Sequence, residues 1–279
     1  MQESDLALLI RAAHAAAEAV EGLARSDLNV RHKAADGSPV TDADMAANAV
    51  LHDTLRAARP DHGWLSEESV DDPARLEAQR VFIVDPIDGT RSFIEGSDSW
   101  AHSLAIAERG QITAAVVYLP KRDKLYSATL GGGATFNGAP IRVSDHAALH
   151  EARVLATRPA MDPSHWARAA PAIRRAHRPS IAYRLSLVAE GRFDAMMTFR
   201  KSWEWDIAAG ALILSEAGAR ISDRRGADLR FNDVEPALNG VIAANPELHR
   251  DVLRHVHPDL STNFPGGPPV NTSPDLPEP

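Results

Sequence analysis

The stretch VDPIDGTRSF, Val84 to Phe93, sets two aspartates three residues apart, with a proline between them and a Gly-Thr just after. The apolar, β-branched run Val81–Val84 before it reads as a strand. The strand is expected to end at Asp85. Pro86 then turns the chain and Asp88-Gly89 continues the turn. Both carboxylates can converge at the strand end, with the Ile87 carbonyl between them. Oxygens of this kind suit a hard cation such as Mg²⁺. A helical turn starting at Gly89 and Thr90 would point their N–H groups outward, where they can hold a phosphate oxygen. Pro, Asp and Gly are also the usual residues of a β-turn. Alone, the stretch fits either reading.

Working outward, 279 residues suit one large domain or two closely packed ones, and can bury a sizeable core. A hydrophobic share of 44% and a charged share of 24% are those of an ordinary globular protein. A net charge of -8 argues against a polymeric nucleic-acid partner, which needs a basic face. It leaves room for a small phosphate ester, provided divalent cations or backbone N–H groups offset the repulsion. With no cysteine, disulfides, thiolate zinc sites and a cysteine nucleophile are excluded. The N-terminal stretch opens with acids, and Arg11 and His14 interrupt its apolar run, so it does not read as a signal peptide. No stretch is long and apolar enough to span a membrane. The expectation is a soluble cytoplasmic protein without a membrane partner.

Ser4 or Asp5 can cap a first helix, with Leu6, Leu9, Ile10, Ala13, Ala17 and Val20 at helical spacing. A second helix starts near Thr41 and stops before Pro60. Candidate strands Trp100–Ala107, Ile112–Tyr118 and Lys124–Ala128 suggest an antiparallel meander. The second half alternates: strand Arg153–Ala156, helix His165–Ala176, helix Ala182–Glu190, strand Phe193–Phe199, helix Trp205–Ala217 ended by Gly218, strands Ala219–Ser222 and Gly240–Ala243, and helix Pro246–His255. The pattern predicts a layered α/β protein: subdomain 1–145 with an antiparallel sheet and the acidic motif, subdomain 146–260 of α/β type, and a Pro- and Gly-rich tail 261–279 expected to be disordered.

Three other places could join Asp85 and Asp88. Glu67-Glu68, in WLSEES, reads as solvated surface unless it approaches them. Asp206, in KSWEWDIAAGALILSEAGAR, is well suited as a helix cap, or as a carboxylate delivered to a shared metal cluster. Thr41 and Asp44 look like a capping box, to which a catalytic role would be additional. The twelve histidines show no paired metal-ligand spacing, and neither a G-x-S-x-G elbow nor a G-x-x-x-x-G-K-[ST] loop occurs.

The ordered set of LSEES, VDPIDGTRSF and EWDIAAGALILSEAGA resembles the inositol monophosphatase superfamily of magnesium-dependent, lithium-sensitive phosphatases, over roughly residues 5 to 257. The resemblance implies a five-layered αβαβα sandwich of the inositol monophosphatase and fructose-1,6-bisphosphatase type. It implies that Glu67, Asp85, the Ile87 carbonyl, Asp88 and Asp206 hold two or three Mg²⁺ ions. It also implies that Asp44 and Thr90 orient or deprotonate the attacking water, and that Gly89 and Thr90, beside Asp88, hold the phosphoryl oxygens. Lys33, Asp36, Ser38, Pro39, Val40, Thr41 and Asp44 match the family's K-x-D-x-S-P-V-T-x-A-D region, whereas Ser66 departs from its usual glycine. Relatives are commonly homodimers.

Fewer residues bear on the substrate. Near the glutamate that binds inositol in some relatives stand Thr198 and Phe199, followed by Arg200 and Lys201. SIAYRLSLVAEGR resembles a stretch of bacterial 3'(2'),5'-bisphosphate nucleotidases, with Arg184 in place of a lysine. Arg184, Arg200 and Lys201 are therefore candidates for a second, non-reacting phosphate, although surface charge is an equally simple reading. The expected substrate is 3'-phosphoadenosine 5'-phosphate, cleaved to AMP and phosphate. The alternatives are inositol 1-phosphate, a sugar or histidinol phosphate, and, in another class, a non-catalytic metal-binding regulator.

Overall fold

The computed structural model describes residues 3–23, 28–34 and 37–257. Asp36 and the tail 261–279 lie outside the described residues. Helix α1 (Asp5–Glu21) starts where the Ser4 hydroxyl accepts the Ala7 N–H, and α2 (Asp42–Ala58) starts at the Thr41–Asp44 capping box. Leu8, Leu9, Ala12, Ala13, Ala16, Ala17 and Val20 line the buried face of α1, while Leu6 and Ile10 sit at its margin.

Seven strands form the first sheet, in sequential order: β1 (Gly63–Ser66), β2 (Arg80–Asp88), β3 (Ala101–Glu108), β4 (Gln111–Leu119), β5 (Lys124–Thr129), β6 (Gly133–Phe136) and β7 (Ala139–Pro140). β1 and β2 run parallel and the remaining neighbours antiparallel. Strand side chains alternate between faces, and the two cores divide accordingly. Phe82, Val84, Leu104 and Ile106 pack under α1 and α2. Val81, Ile83, Ala105 and Ala107 face the other way, toward α4 (Ile181–Ala189) and α5 (Glu204–Glu216).

A second, mixed sheet lies beyond those helices. Its strands are β8 (Arg153–Leu155), β9 (Arg174–Ala176), β10 (Ala195–Thr198), β11 (Arg220–Ser222) and β12 (Val241–Ala244), in the order β9-β8-β10-β12-β11. Met196, Val241 and Ala243 join the central core. Ala195, Met197, Ile242 and Ala244 instead pack with Leu248 and Val252 of α6 (Pro246–His255). The result is five layers, αβαβα. Because α5 is covered by a sheet on either side, Ile207, Ile213 and Leu214 are all fully buried, each contributing about 1.5–3 kcal/mol.

Three expectations change. His165–Ala176 is not a helix. Pro163–His165 makes a short 3₁₀ turn, Trp166 is buried in the outer core, and Arg174–Ala176 becomes β9 beside β8. Pro171 lacks the N–H a helix there requires. β1 is an unexpected strand at an edge of the sheet, ending one residue before Glu67. Finally, β2 does not stop at Asp85 but continues to Asp88 through a bulge.

Candidate active site

That bulge sets the geometry. Asp85 pairs with Ser103 and Asp88 with Ala101, so three steps along β2 face two along β3. One extra residue bends the strand and redirects its side chains. Asp85 is 1% exposed, and its Oδ1 accepts the Ile87 N–H at 2.9 Å. Gly89 follows at φ 105°, a left-handed conformation suited to glycine, and α3 (Thr90–Ile94) begins there. A Cβ at Gly89 would also lie 3.4 Å from the Ser99 carbonyl and 3.5 Å from Trp100 Cβ.

Glu67 arrives from β1, its N–H donating to the Val84 carbonyl at 3.2 Å. Asp206 arrives from the first turn of α5. Ser103, the partner of Asp85, donates its hydroxyl to the Trp205 carbonyl at 2.9 Å, which ties the start of α5 to the bulge. Glu67, Asp85 and Asp206 thereby place carboxylate oxygens within 4.8 Å of one another. Burial, then Glu67, Asp88 and Asp206, hold the Asp85 carboxyl well above its ordinary pKa. Burial, then Asp88 and Glu67, do the same to Asp206.

Asp88 stands beside this trio. Its Oδ2 accepts the Ser180 hydroxyl at 2.7 Å and the Ala182 N–H at 2.6 Å. Ser180 also caps α4, accepting the Tyr183 N–H at 2.9 Å. Burial raises the Asp88 pKa against those hydrogen bonds and the charge of Arg184.

The remaining motif residues form a second network. The Thr41 N–H and hydroxyl both donate to Asp44 Oδ2, at 2.8 and 2.6 Å. The Thr90 hydroxyl lies 3.0 Å from Asp44 Oδ1 and 3.1 Å from the Ile87 carbonyl. Asp44 is 1% exposed, and burial raises its pKa. Lys33, which the sequence reading placed in a motif without a role, lies 2.7 Å from both Glu67 and Glu68. Burial, then Glu67, pushes Glu68 up to about 7.

Of the three cations named from sequence, Arg184 is 2% exposed, and its Nε donates to the Ser180 carbonyl at 3.3 Å. Burial lowers its pKa to about 10, against the charges of Asp88 and Asp206. Arg200 is exposed, and its charge acts on both Asp206 and Arg184. Lys201 pairs with Glu235 on the surface and lies over the Trp203 ring. The sequence reading missed His177. Burial, then the charges of Arg184, Arg175, Arg178 and Arg200, lower its pKa to about 4. The dense arginines of RRAHRPS were the available signal.

The donor set is a test of which cation fits. Three convergent carboxylates, all oxygen and mutually repelling, suit a hard divalent ion rather than a thiolate- or imidazole-seeking one. Residues 1–260 match the model of the inositol monophosphatase family. The chain belongs to that family. It is a phosphoric monoester hydrolase on the metal-dependent family scaffold, and its acidic cluster could hold a metal ion. It is 36% identical over 217 residues to a 3'-phosphoadenosine 5'-phosphate phosphatase of Mycobacterium bovis, covering 74% of this chain and 77% of that protein. It is 33% identical over 238 residues to an inositol-1-monophosphatase of Mesorhizobium japonicum, covering 81% and 85%. The crystal structure of the extragenic suppressor protein suhB from Bartonella henselae superposes with a TM-score of 0.73 at 31% identity, covering 88% of this chain and 96% of that one. Among the described residues, no helix is long and apolar enough to cross a membrane.

Proposed function

We propose that this phosphatase hydrolyses 3'-phosphoadenosine 5'-phosphate to AMP and phosphate, using Mg²⁺ held by Glu67, Asp85, the Ile87 carbonyl, Asp88 and Asp206. The observation that carries the reading is the cationic ledge beside the acid cluster. Arg184 is buried next to Asp88 and Asp206 and feels the charge of Arg200, and burial, then the charges of Arg184, Arg175, Arg178 and Arg200, keeps His177 neutral among these arginines. An acidic protein concentrates these cations where a second phosphate of the substrate would sit, and Arg is suited to phosphate. Thr198 and Phe199, near the position where some relatives carry an inositol-binding glutamate, are both buried in or beside β10 and offer no carboxylate.

When bound, two or three Mg²⁺ ions supply charge neutralisation at the phosphoryl oxygens and lower the pKa of water. Asp44 takes the proton of the attacking water by way of Thr90. Its raised pKa suits a proton acceptor, and Thr41 fixes the carboxylate that the Thr90 hydroxyl approaches. The N–H groups of Gly89 and Thr90, at the start of α3, steady the phosphoryl oxygens as charge builds. Ser180 holds Asp88 at the junction of the two halves.

The test is kcat/KM for 3'-phosphoadenosine 5'-phosphate against myo-inositol 1-phosphate, with and without lithium. The bisphosphate is expected to be the better substrate, with lithium inhibiting. A clear preference for the inositol ester refutes the substrate assignment.

A further inference from the structure

The bulge raises an accounting question. Pro86 and Ile87 have no cross-strand partner on β3, and a buried carbonyl in such a place needs a donor from elsewhere. His102 supplies it. It lies on β3 between Ala101 and Ser103, opposite the bulge, and its Nδ1 hydrogen-bonds the Pro86 carbonyl. A carbonyl only accepts, so Nδ1 carries the proton.

The Pro86 carbonyl and the Ile87 N–H belong to one planar peptide group. Its oxygen edge is held by His102. Its N–H edge donates to Asp85 Oδ1 at 2.9 Å. Turning that plane moves the hydrogen bond that aims the Asp85 carboxylate. The Ile87 carbonyl, which the Thr90 hydroxyl approaches at 3.1 Å, comes next along the chain.

The His102 ring is held in turn. The residue is 0% exposed. Trp100 meets its ring edge-on at 5.3 Å and 81°, and the ring of Tyr118, its neighbour on β4, is 6.4 Å away. Its Nε2 is buried with no hydrogen-bond partner among the described residues. Burial lowers its pKa to about 4, which keeps it neutral near neutral pH.

We propose that His102 is a positioning residue: through the Pro86–Ile87 peptide, it sets the angle at which Asp85 presents its carboxylate to a divalent cation. This rests on the reading of Asp85 as a cation ligand. It needs no chemistry at the imidazole, only a fixed N–H donor.

Two near-isosteric variants of the full chain test it: His102→Leu, which has no donor, and His102→Asn, whose side-chain N–H can stand near the Nδ1 position. Mn²⁺ binding is measured by calorimetry, and thermal melts of the metal-free proteins monitor folding. His102→Leu is expected to bind Mn²⁺ about tenfold more weakly, the usual scale for losing a group that orients a ligand, and His102→Asn to recover most of that loss. Leu and Asn variants that are folded and bind Mn²⁺ alike, whether tightly or weakly, overturn the proposal. Wild-type protein that binds no Mn²⁺ overturns the ligand reading beneath it instead. A measurement that needs no variant is ¹⁵N NMR of the metal-free wild type, which is expected to show His102 protonated at Nδ1 and bare at Nε2. The opposite tautomer overturns the proposal even if both variants fail to fold.

Discussion

Asp85→Asn is expected to stabilise the metal-free protein at neutral pH while removing its response to Mg²⁺. Glu67, Asp85 and Asp206 bring carboxylate oxygens within 4.8 Å. At an effective dielectric of about 20, one ionised pair at that distance repels by about 3.5 kcal/mol. Asp85 faces two such partners. The wild type escapes part of this by keeping protons, since burial and then these repulsions raise Asp85 and Asp206. Lys33 offsets another part at Glu67. The remaining gain from removing one charge is about 1–3 kcal/mol, or about 2–4 °C in Tm for each kcal/mol. Asparagine retains an oxygen for the Ile87 N–H, so the bulge keeps its internal hydrogen bond. The sign follows from linkage. A carboxylate raised in the folded state favours the native fold while protonated, and that advantage is lost as pH rises from its unfolded value, about 4, toward the raised one. The gain from asparagine should therefore be small near pH 4 and large above pH 7. Thermal melts in EDTA at both pH values, repeated with Mg²⁺, measure it. A variant less stable than wild type above pH 7 in EDTA, or a gain equal at both pH values, would refute the electrostatic reasoning.

Three further outcomes are expected. Ser180→Ala removes the α4 cap and one of the donors to Asp88. It should lower stability by about 1 kcal/mol in urea melts and weaken Mg²⁺ activation; unchanged Mg²⁺ dependence would mean that Asp88 does not need this anchor. Arg200→Ala should lower kcat/KM for 3'-phosphoadenosine 5'-phosphate by about tenfold or more, the scale of one hydrogen bond to a charged group, while leaving adenosine 3'-monophosphate little affected. Equal losses on both substrates would remove Arg200 from the second-phosphate site. Gly210→Ala would put a Cβ 2.6 Å from Leu185 Cδ1 and 2.7 Å from Leu185 Cβ, where α5 crosses α4. It should destabilise by about 1–3 kcal/mol in urea despite alanine's better helix propensity, and a stabilised variant would show that this contact relaxes freely.

What the sequence makes legible is what local chemistry determines. α6 follows its expected bounds because Pro246 opens it and Asn245 caps it. α2 follows the Thr41–Asp44 box. The three meander strands follow their short turns. Apart from the helix that Pro171 rules out locally, the misses are residues whose roles depend on distant partners. β1 contains a glycine and only four residues; it is a strand because β2 pairs with it in parallel. Ser180 meets Asp88 across 92 residues, and no spacing along the chain announces it. Lys33 becomes a counter-ion only once β1 brings Glu67 and Glu68 beneath it. The bulge, and with it the place of His102, follows from pairing β2 against β3. The carboxylates themselves were legible because their motifs are dense in residues with little other reason to cluster.

The most direct test of the whole account is phosphate release from 3'-phosphoadenosine 5'-phosphate by wild-type protein and by Asp206→Asn, in EDTA and across a Mg²⁺ titration. The account predicts no release in EDTA, recovery with added Mg²⁺ in the wild type, and at most a trace of activity in the folded variant at any Mg²⁺ concentration. Release by the wild type that persists in EDTA, or wild-type turnover by Asp206→Asn, would contradict it.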